Sequence, residues 1–365
     1  MDLNSKNIID VLRRINYPGK DKDIISLNMV EDIKVDKNNI HFALVVEKNT
    51  DPLVNSIKRV CVRALRNEFG DHIEIEKNIT IKAKKVYEER QILPNVKNII
   101  AIASGKGGVG KSTVAVNLSV ALAKSGFKTG LIDADVYGPS IPKMFNTESA
   151  KPLAKEVDGK TKIIPIEKYD VKLLSVGFFV NANDALVWRG PMATGALKQL
   201  ISDGDWDELD YLVIDLPPGT GDIHLTMVQE VPVTGAVIVS TPQEIALTDA
   251  IKGISMFQGK AINVPILGLV ENMAWFTPKE LPDNKYFIFG KEGCKKLAQD
   301  RNLPFLGQIP IVQGIRESGD KGIPVVLEDA KVSEAFMEIC KNLVQQVDLR
   351  IKNLEPTKRV EINKK

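Results

Sequence analysis

The chain has 365 residues, of which 44% are hydrophobic and 26% are charged, and its formal net charge is +2. These values fit a globular chain of about two domains and exclude a disordered or fibrous protein. The small net charge excludes a general attraction to nucleic acid or to an anionic membrane. No apolar run approaches the roughly twenty residues of a membrane span, and the N-terminus has no targeting pattern. We therefore predict a cytoplasmic protein with no membrane or nucleic-acid partner.

Residues 1–86 have the pattern of a small α/β domain. The pattern predicts a helix near residues 6–15, strands near 30–35 and 40–46, a helix over 52–69 and a last strand over 73–81. Residues 87–98 lie at the end of a charged segment and include Pro94. This composition is typical of a linker. At the other end of the chain, residues 351–365 are predicted to form a polar, frayed tail.

The motif G-K-G-G-V-G-K-S at residues 105–112 follows an apolar run and precedes a predicted helix over 113–124. It is typical of a phosphate-binding loop, in which glycines let backbone N–H groups turn towards phosphates and the helix adds its dipole. Lys111 is expected to hold the terminal phosphates, and Ser112 is expected to bind Mg²⁺. The residues expected to contact ATP are Gly105, Lys106, Gly107, Gly108, Val109, Gly110, Lys111, Ser112 and Thr113.

A second lysine, Lys106, stands directly after the first glycine of the loop. This feature resembles the deviant Walker A family of dimeric ATPases. The resemblance implies that Lys106 acts on the nucleotide of a partner subunit and that the chain forms a homodimer. A cation from a second subunit can neutralise the charge that develops during phosphoryl transfer, as an arginine finger does. The alternative is a solvated loop lysine without a catalytic role.

Short apolar strands alternate with helical stretches from residue 99 to about residue 350, which predicts an ATPase domain over 99–350. This alternation is typical of an α/β fold with a mostly parallel sheet flanked by helices. An interruption near residues 163–180 is expected to add strands at one edge of the sheet. The predicted strands of the main sheet cover residues 99–103, 129–132, 211–214, 236–240, 266–270 and 305–309.

Acidic residues follow two of these strands, where such sheets bind ligands. Asp215 precedes the glycine-rich segment 216–221, so we expect it to hold Mg²⁺ and Gly219 to sense the terminal phosphate. Asp135, two residues after Asp133, is expected to position the attacking water; the alternative for these carboxylates is helix capping. Asn272 is placed to read an adenine edge, although a turn-forming asparagine would give the same pattern.

Several motifs together resemble the Mrp family of iron-sulfur cluster carrier ATPases. They lie at residues 104–113, 133–140, 188–192 and 215–222, and the resemblance extends over about 99–344. Residues 1–86 resemble a small domain, linked with iron-sulfur assembly, that is often fused ahead of this ATPase. The resemblance implies a P-loop NTPase with ATP, Mg²⁺ and an iron-sulfur cluster, which passes clusters to apo iron-sulfur proteins and works with cluster-assembly factors.

One departure from the family pattern concerns the cluster ligands. The family usually has a C-x-x-C pair after the segment 271–273, whereas residues 274–282 of this chain contain no cysteine. Thiolates are the usual ligands of iron-sulfur clusters. Cys294 lies just downstream and is the candidate replacement, with a structural role as the alternative. Cys61 and Cys340 lie in helical patterns and are predicted to be buried, inert thiols.

Three further features have alternative interpretations. Trp188 and Arg189 are expected to support the core and the switch loops, and Trp275 with the adjacent Phe276 is either a partner contact or part of the core. His224 follows the glycine-rich segment, and the sequence assigns no role to it.

Two other functions compete with cluster delivery. An ATP-switched adaptor or regulator of cluster assembly would hold no cluster, which agrees with the missing cysteine pair. A positioning ATPase of the cell-division or partition type would share the deviant loop, but it usually has a membrane-binding tail or a basic DNA surface. The C-terminus of this chain, residues 359–365, is too polar and too short for a membrane anchor.

Overall fold

The computed structural model describes residues 3–18, 22–27, 29–46, 53–83, 92–157, 159–179, 190–260, 262–278 and 280–357. The chain divides into two compact units, Met1–Glu88 and Glu89–Lys365. Within the described ranges, no helix has both the length and the apolar character needed to cross a bilayer.

The first unit packs two helices against a three-stranded sheet in the order β1-β2-β3. Strands β1 and β2 are antiparallel. Helix α2 connects β2 to β3, and these two strands are parallel to each other. The apolar faces of both helices and of β2 form one buried core that includes Ile8, Leu44 and Leu65. The elements of this unit are α1 (Ser5–Leu12), β1 (Val30–Asp36), β2 (Asn39–Val46), α2 (Val54–Phe69) and β3 (Ile79–Ala83).

The second unit contains an eight-stranded sheet and a separate two-stranded hairpin, β6-β7. The strands of this unit are β4 (Val96–Ala103), β5 (Thr129–Asp133), β6 (Ala154–Val157), β7 (Lys160–Ile163), β8 (Ile166–Lys168), β9 (Val171–Ser175), β10 (Leu209–Asp215), β11 (Gly235–Ser240), β12 (Ile266–Glu271) and β13 (Phe305–Gln308). The sheet order is β13-β12-β11-β4-β10-β5-β9-β8, and all neighbours are parallel except the edge pair β8-β9. The predicted α/β fold with a mostly parallel sheet is therefore confirmed.

Helices cover both faces of this sheet, so its central strands are buried on both sides. The helices are α3 (Lys111–Lys124), α4 (Ile141–Met144), α5 (Gly190–Ser202), α6 (Asp222–Glu230), α7 (Glu244–Gln258), α8 (Gly293–Asp300), α9 (Gln313–Lys321) and α10 (Ala330–Asn353). One buried core combines one face of the sheet with α3 and α10. The other core combines the opposite face with α5, α6, α7 and α8.

Several element boundaries differ from the sequence-based expectations. The last strand of the first unit begins at Ile79, and Glu74 in the expected strand forms only an isolated bridge with Asn39. Strand β4 begins at Val96, inside the predicted linker, because Val96 is buried and pairs with Leu209 of β10. Helix α10 continues to Asn353, past the expected start of the polar tail. The expected extra strands at one edge are present as β8 and β9.

Candidate functional site

The phosphate-binding motif forms the connection between β4 and α3, at the carboxyl edge of the sheet. Gly108 and Gly110 have φ values of 81° and 82°, which favour glycine over residues with a Cβ. Gly105 lies so close to α7 that a Cβ would collide with the backbone of Asp249. The sequence thus supplies glycine where the loop turns and where it packs against a neighbouring helix.

Lys111 is the first residue of α3, and its ammonium is bound to the carboxylate of Asp215. The distance from Lys111 Nζ to Asp215 Oδ1 is 2.7 Å, and Lys111 Nζ also donates to Ser112 Oγ at 3.4 Å. Burial raises the pKa of Asp215, whereas Lys111 and the nearby Ser112 hydroxyl lower it. The structure therefore brings together the residues expected to bind the phosphates and Mg²⁺.

The second oxygen of Asp215 fits a site for a hard cation. Asp215 Oδ2 is buried and has no hydrogen-bond partner of good geometry within the described ranges. Hydroxyl and carboxylate oxygens are the ligand types that Mg²⁺ prefers, and Ser112 supplies the hydroxyl next to this carboxylate. The donor set is thus compatible with the predicted magnesium site.

The two aspartates that end β5 have different environments. Asp133 is fully buried, and its Oδ2 accepts from Ser175 Oγ at 2.9 Å and from the backbone N–H of Ile141 at 3.3 Å. Burial, with a further contribution from Asp215, raises the pKa of Asp133 to about 7. Asp133 therefore stabilises the start of α4 through the backbone N–H of Ile141. This role is similar to the helix capping that was the alternative for this carboxylate.

Asp135 is the more open of the two carboxylates. Its Oδ2 lies 3.9 Å from Lys111 Nζ, and 15% of its side chain is exposed. Burial raises the pKa of Asp135, while Lys111 favours the charged form. This position next to the phosphate-binding lysine, with access to solvent, is compatible with water positioning, which remains a prediction.

The segment after Asp215 is a loop that reaches back to the phosphate-binding motif. Gly219 has a φ of 92°, and its backbone N–H donates to the Ser104 carbonyl at 2.9 Å. The amide expected to sense a terminal phosphate is therefore bonded to protein in this conformation. We call residues 216–221 the switch loop.

Lys106, in the phosphate-binding motif, is half-buried. Its carbonyl accepts from Ser104 Oγ at 3.0 Å, and its ammonium forms no ion pair within the described ranges. Thr113, two residues into α3, is also half-buried and lines the cavity described below. Both side chains remain available to a ligand or a partner chain.

Asn272 acts as a brace for the phosphate-binding motif. It is buried, its Nδ2 donates to the Val109 carbonyl at 2.8 Å, and its backbone N–H donates to the Ser240 carbonyl. The side chain leaves no room for a Cβ on Gly110. One amide proton that an adenine edge would need is therefore already used within the protein, so this geometry favours the structural alternative for Asn272.

A cavity of about 430 Å³ opens beside the phosphate-binding motif. It is lined by Gly110, Thr113, Asn272, Met273, Pro310 and Ile311, together with residues of α4 and α9. Its size and its apolar wall suit a nucleoside. Sequence reasoning assigned no role to Met273, Pro310 or Ile311, although the segments that contain them follow β12 and β13 at the carboxyl edge of the sheet.

The environment of Cys294, the candidate ligand of an iron-sulfur cluster, is unfavourable for a thiolate in this conformation, and its role stays a prediction. Its side chain is fully buried, its backbone N–H donates to Glu271 Oε2 at 2.7 Å, and its Sγ donates to the Thr241 carbonyl at 3.8 Å. Burial and the Glu271 charge raise the pKa of this thiol well above its usual range. A thiolate ligand must be deprotonated and accessible, and the burial of Cys294 in this conformation disfavours both.

Cys61 and Cys340 are buried as predicted. The chain has three cysteines, so it offers no exposed thiol in this conformation. Among the described residues there is also no group of three or more His, Cys, Asp and Glu side chains able to hold a metal ion.

Trp275 and Phe276, the aromatic pair whose role the sequence left open, are half-buried. Lys285 Nζ lies 4.0 Å from the ring centroid of Trp275, and Phe276 pairs with Tyr286 in an isolated bridge. The pair therefore holds a surface loop together. Trp188 and Arg189 lie outside the described residues.

Comparison with protein families gives two matches along the chain. The profile described as "NUBPL iron-transfer P-loop NTPase" matches residues 95–345, and the profile "Iron-sulfur cluster assembly protein" matches residues 5–76. The two matches correspond to the second and first compact units. They confirm the family resemblance drawn from the motifs.

Named relatives match most of the chain. A protein of Synechocystis named "Iron-sulfur cluster carrier protein" is 40% identical over 350 residues, which cover 95% of this chain and 99% of the relative. A protein of the same name from Escherichia coli K12 is 40% identical and covers 93% of this chain and 90% of its own length. A nucleotide-binding protein from Archaeoglobus fulgidus, solved with ADP, is 36% identical with a TM-score of 0.57, covering 66% of this chain and 92% of its own.

Proposed function

The chain belongs to the NUBPL iron-transfer P-loop NTPase family, and we propose that it is a magnesium-dependent ATPase that carries iron-sulfur clusters to apoproteins. The observation that carries this proposal is the 40% identity to a named cluster carrier across 95% of the chain, which includes both units. The partners are apo iron-sulfur proteins and cluster-assembly factors.

The residues of the phosphate-binding motif support the ATPase part of the proposal. Lys111 holds the terminal phosphates, and it must exchange its bond with Asp215 for bonds with the nucleotide. Ser112 and Asp215 would hold Mg²⁺, which would supply positive charge to the phosphates. Asp135 orients the attacking water, and Gly219 turns its N–H from Ser104 to the terminal phosphate.

We propose that the working form is a homodimer. Lys106 is half-buried in the phosphate-binding motif and lacks an ion pair among the described residues, so it can supply a cation to the site of the partner. A second cation at the transferred phosphate stabilises the transition state electrostatically. The expected function of the dimer is to couple ATP turnover to the retention or release of the cluster.

A specific observation favours a second candidate, the ATP-switched adaptor that holds no cluster. All three thiols of the chain are buried, so a carrier would need either a conformational change that exposes a cysteine or ligands other than its own cysteines. An adaptor would need neither. Both candidates use the same nucleotide site.

Anaerobic reconstitution with iron and sulfide separates the two candidates. The native chain, Cys294→Ser and a cysteine-free variant are compared for bound cluster and for transfer to an apo-ferredoxin, with Lys111→Ala as the control for nucleotide dependence. A carrier retains a cluster and donates it. Loss in Cys294→Ser alone would assign Cys294, and retention in the cysteine-free variant would assign other ligands. A native chain that never binds a cluster is the result expected of an adaptor.

A further inference from the structure

His224 is a buried polar side chain that the ATPase site, as described above, does not use. It is the third residue of α6 and follows the switch loop. Only 1% of the residue is exposed. Neither Nδ1 nor Nε2 has a hydrogen-bond partner of good geometry in the part of the chain that the structure describes. Buried polar groups are normally hydrogen-bonded, so an unpartnered imidazole calls for an explanation.

The switch loop surrounds this imidazole. The carbonyls of Gly221 and Pro217, near the two ends of the loop, lie beside the ring and favour its charged form, but their contacts with the ring nitrogens lack the geometry of good hydrogen bonds. Burial has the larger effect and, with the charge of Lys111, lowers the pKa of His224 to about 4. The ring is therefore neutral near pH 7, with one nitrogen as a donor and the other as an acceptor.

A backbone hydrogen bond at the centre of the switch loop fixes its present conformation. The Gly219 N–H donates to the Ser104 carbonyl at 2.9 Å. If this N–H turns to a terminal phosphate, the peptide unit between Pro218 and Gly219 must rotate. The carbonyls of Pro217 and Gly221 lie on either side of the rotating segment, next to the donor of His224.

We propose that His224 is a positioning residue of the switch loop, which gains a hydrogen bond to a loop carbonyl when the loop turns Gly219 towards the terminal phosphate. Because the ring has only poorly aligned contacts in the present conformation, the triphosphate-bound loop is then favoured over the resting loop. Polar groups left unsatisfied in one state are a recognised way to store a bias towards another. This inference rests on the proposed ATP hydrolysis for its biological meaning.

Two apolar variants and one polar variant test the role. His224→Leu and His224→Phe remove both nitrogens, and His224→Gln retains a donor and an acceptor. Thr226→Val, which removes another buried polar group from the same helix, is the matched control. Hydrogen–deuterium exchange over residues 216–221 is measured with ADP–Mg²⁺ and with a non-hydrolysable ATP analogue and Mg²⁺, alongside kcat and KM.

A positioning role predicts a change specific to the triphosphate. In the native chain and in Thr226→Val, the ATP analogue slows exchange in the switch loop beyond the effect of ADP. The apolar variants lose this extra protection, and their kcat falls about tenfold, as expected for one missing hydrogen bond, while ADP binding is unchanged. His224→Gln restores most of both properties.

A purely structural role of His224 predicts no loss of protection that is specific to the ATP analogue. Native-like protection by the ATP analogue in His224→Leu or His224→Phe overturns the proposal, as does a loss that is equal with ADP and with the analogue. The exchange measurement does not depend on turnover. If the native chain hydrolyses no ATP, the proposed ATPase function fails while the analogue still tests His224.

Discussion

Lys111 and Asp215 form an ion pair in the buried centre of the site, with 2.7 Å between Nζ and Oδ1. Only 5% of the lysine side chain and 0% of the aspartate side chain is exposed. The lysine that is expected to bind phosphate thus neutralises a buried carboxylate in the present conformation. Nucleotide binding must therefore replace one electrostatic partner of Lys111 with another.

This pairing predicts that Lys111→Ala reduces stability as well as nucleotide binding. Removal of one partner leaves a buried charge, which costs about 3–5 kcal/mol. The double variant Lys111→Ala with Asp215→Asn should recover much of the unfolding free energy but none of the nucleotide affinity. Denaturant titration and ATP-binding measurements on both variants test this. Equal stability of Lys111→Ala and the native chain would show that the buried pair does not persist in solution.

Lys106 offers a contrasting prediction because it forms no ion pair within the described ranges. Lys106→Ala should change the unfolding free energy by less than about 0.5 kcal/mol, retain ATP binding and lose hydrolysis. If Lys106 acts on the partner's nucleotide, a mixture of Lys106→Ala and Lys111→Ala chains should regain activity. At equal amounts about a quarter of the native rate is expected, because half of the dimers are mixed and each has one complete site.

Subunit exchange must be allowed before the rate of the mixture is measured. Each variant alone and a mixture at a concentration too low for dimers are the controls. If the mixture is no more active than the average of the two variants, Lys106 acts on the nucleotide of its own subunit or has no role in catalysis.

The sequence predicted the fold and the main site because both depend on local patterns. Alternating apolar strands and helices indicated a parallel sheet, and such a sheet brings the ends of β4, β5 and β10 to one edge. The register pairs Asp215 of β10 with Asp133 of β5 and with Ile102 of β4, so these residues had to meet.

The environments of Asn272 and Cys294 could not be predicted in this way. Asn272 donates to Val109, which is 163 positions away in the sequence. Cys294 is buried because its backbone N–H, at the start of α8, donates to Glu271 at the end of β12. Contacts between distant segments decide both cases, and no motif in either segment encodes them.

The brace formed by Asn272 can be distinguished from adenine recognition by nucleotide selectivity. Asn272→Ala removes the donor to the Val109 carbonyl, which should cost about 1 kcal/mol of stability and weaken ATP and GTP binding by similar factors. An adenine contact would instead predict a selective loss of ATP affinity. Competition binding with ATP, GTP and inorganic pyrophosphate measures the difference.

The burial of all three cysteines predicts slow thiol chemistry. In the native chain, reaction with an aromatic disulfide reagent at pH 8 should be roughly a hundredfold or more slower than with an exposed thiol, because the reactive thiolate forms only after local opening. Ser202→Cys, at an exposed position on α5, supplies the fast reference. Rapid labelling of one native thiol per chain would contradict this prediction, and loss of that labelling in Cys294→Ser would identify Cys294 as the accessible thiol.

The buried, neutral His224 predicts a pH-dependent stability difference between His224→Leu and the native chain. The pKa of His224 is lowered from 6.5 to about 4, so between these values the unfolded chain binds a proton that the folded chain excludes. The contribution of this proton linkage to the free energy of unfolding is fully present above pH 6.5 and is lost as the pH falls towards 4. The unfolding free energy of His224→Leu, measured relative to the native chain by denaturant titration, should therefore rise by about 1–3 kcal/mol from pH 7 to pH 4.5. His224→Leu should also match or exceed the native stability at pH 7, since the variant buries no unpartnered polar group. A difference that is constant with pH would mean that the imidazole is accessible to protons in the folded chain.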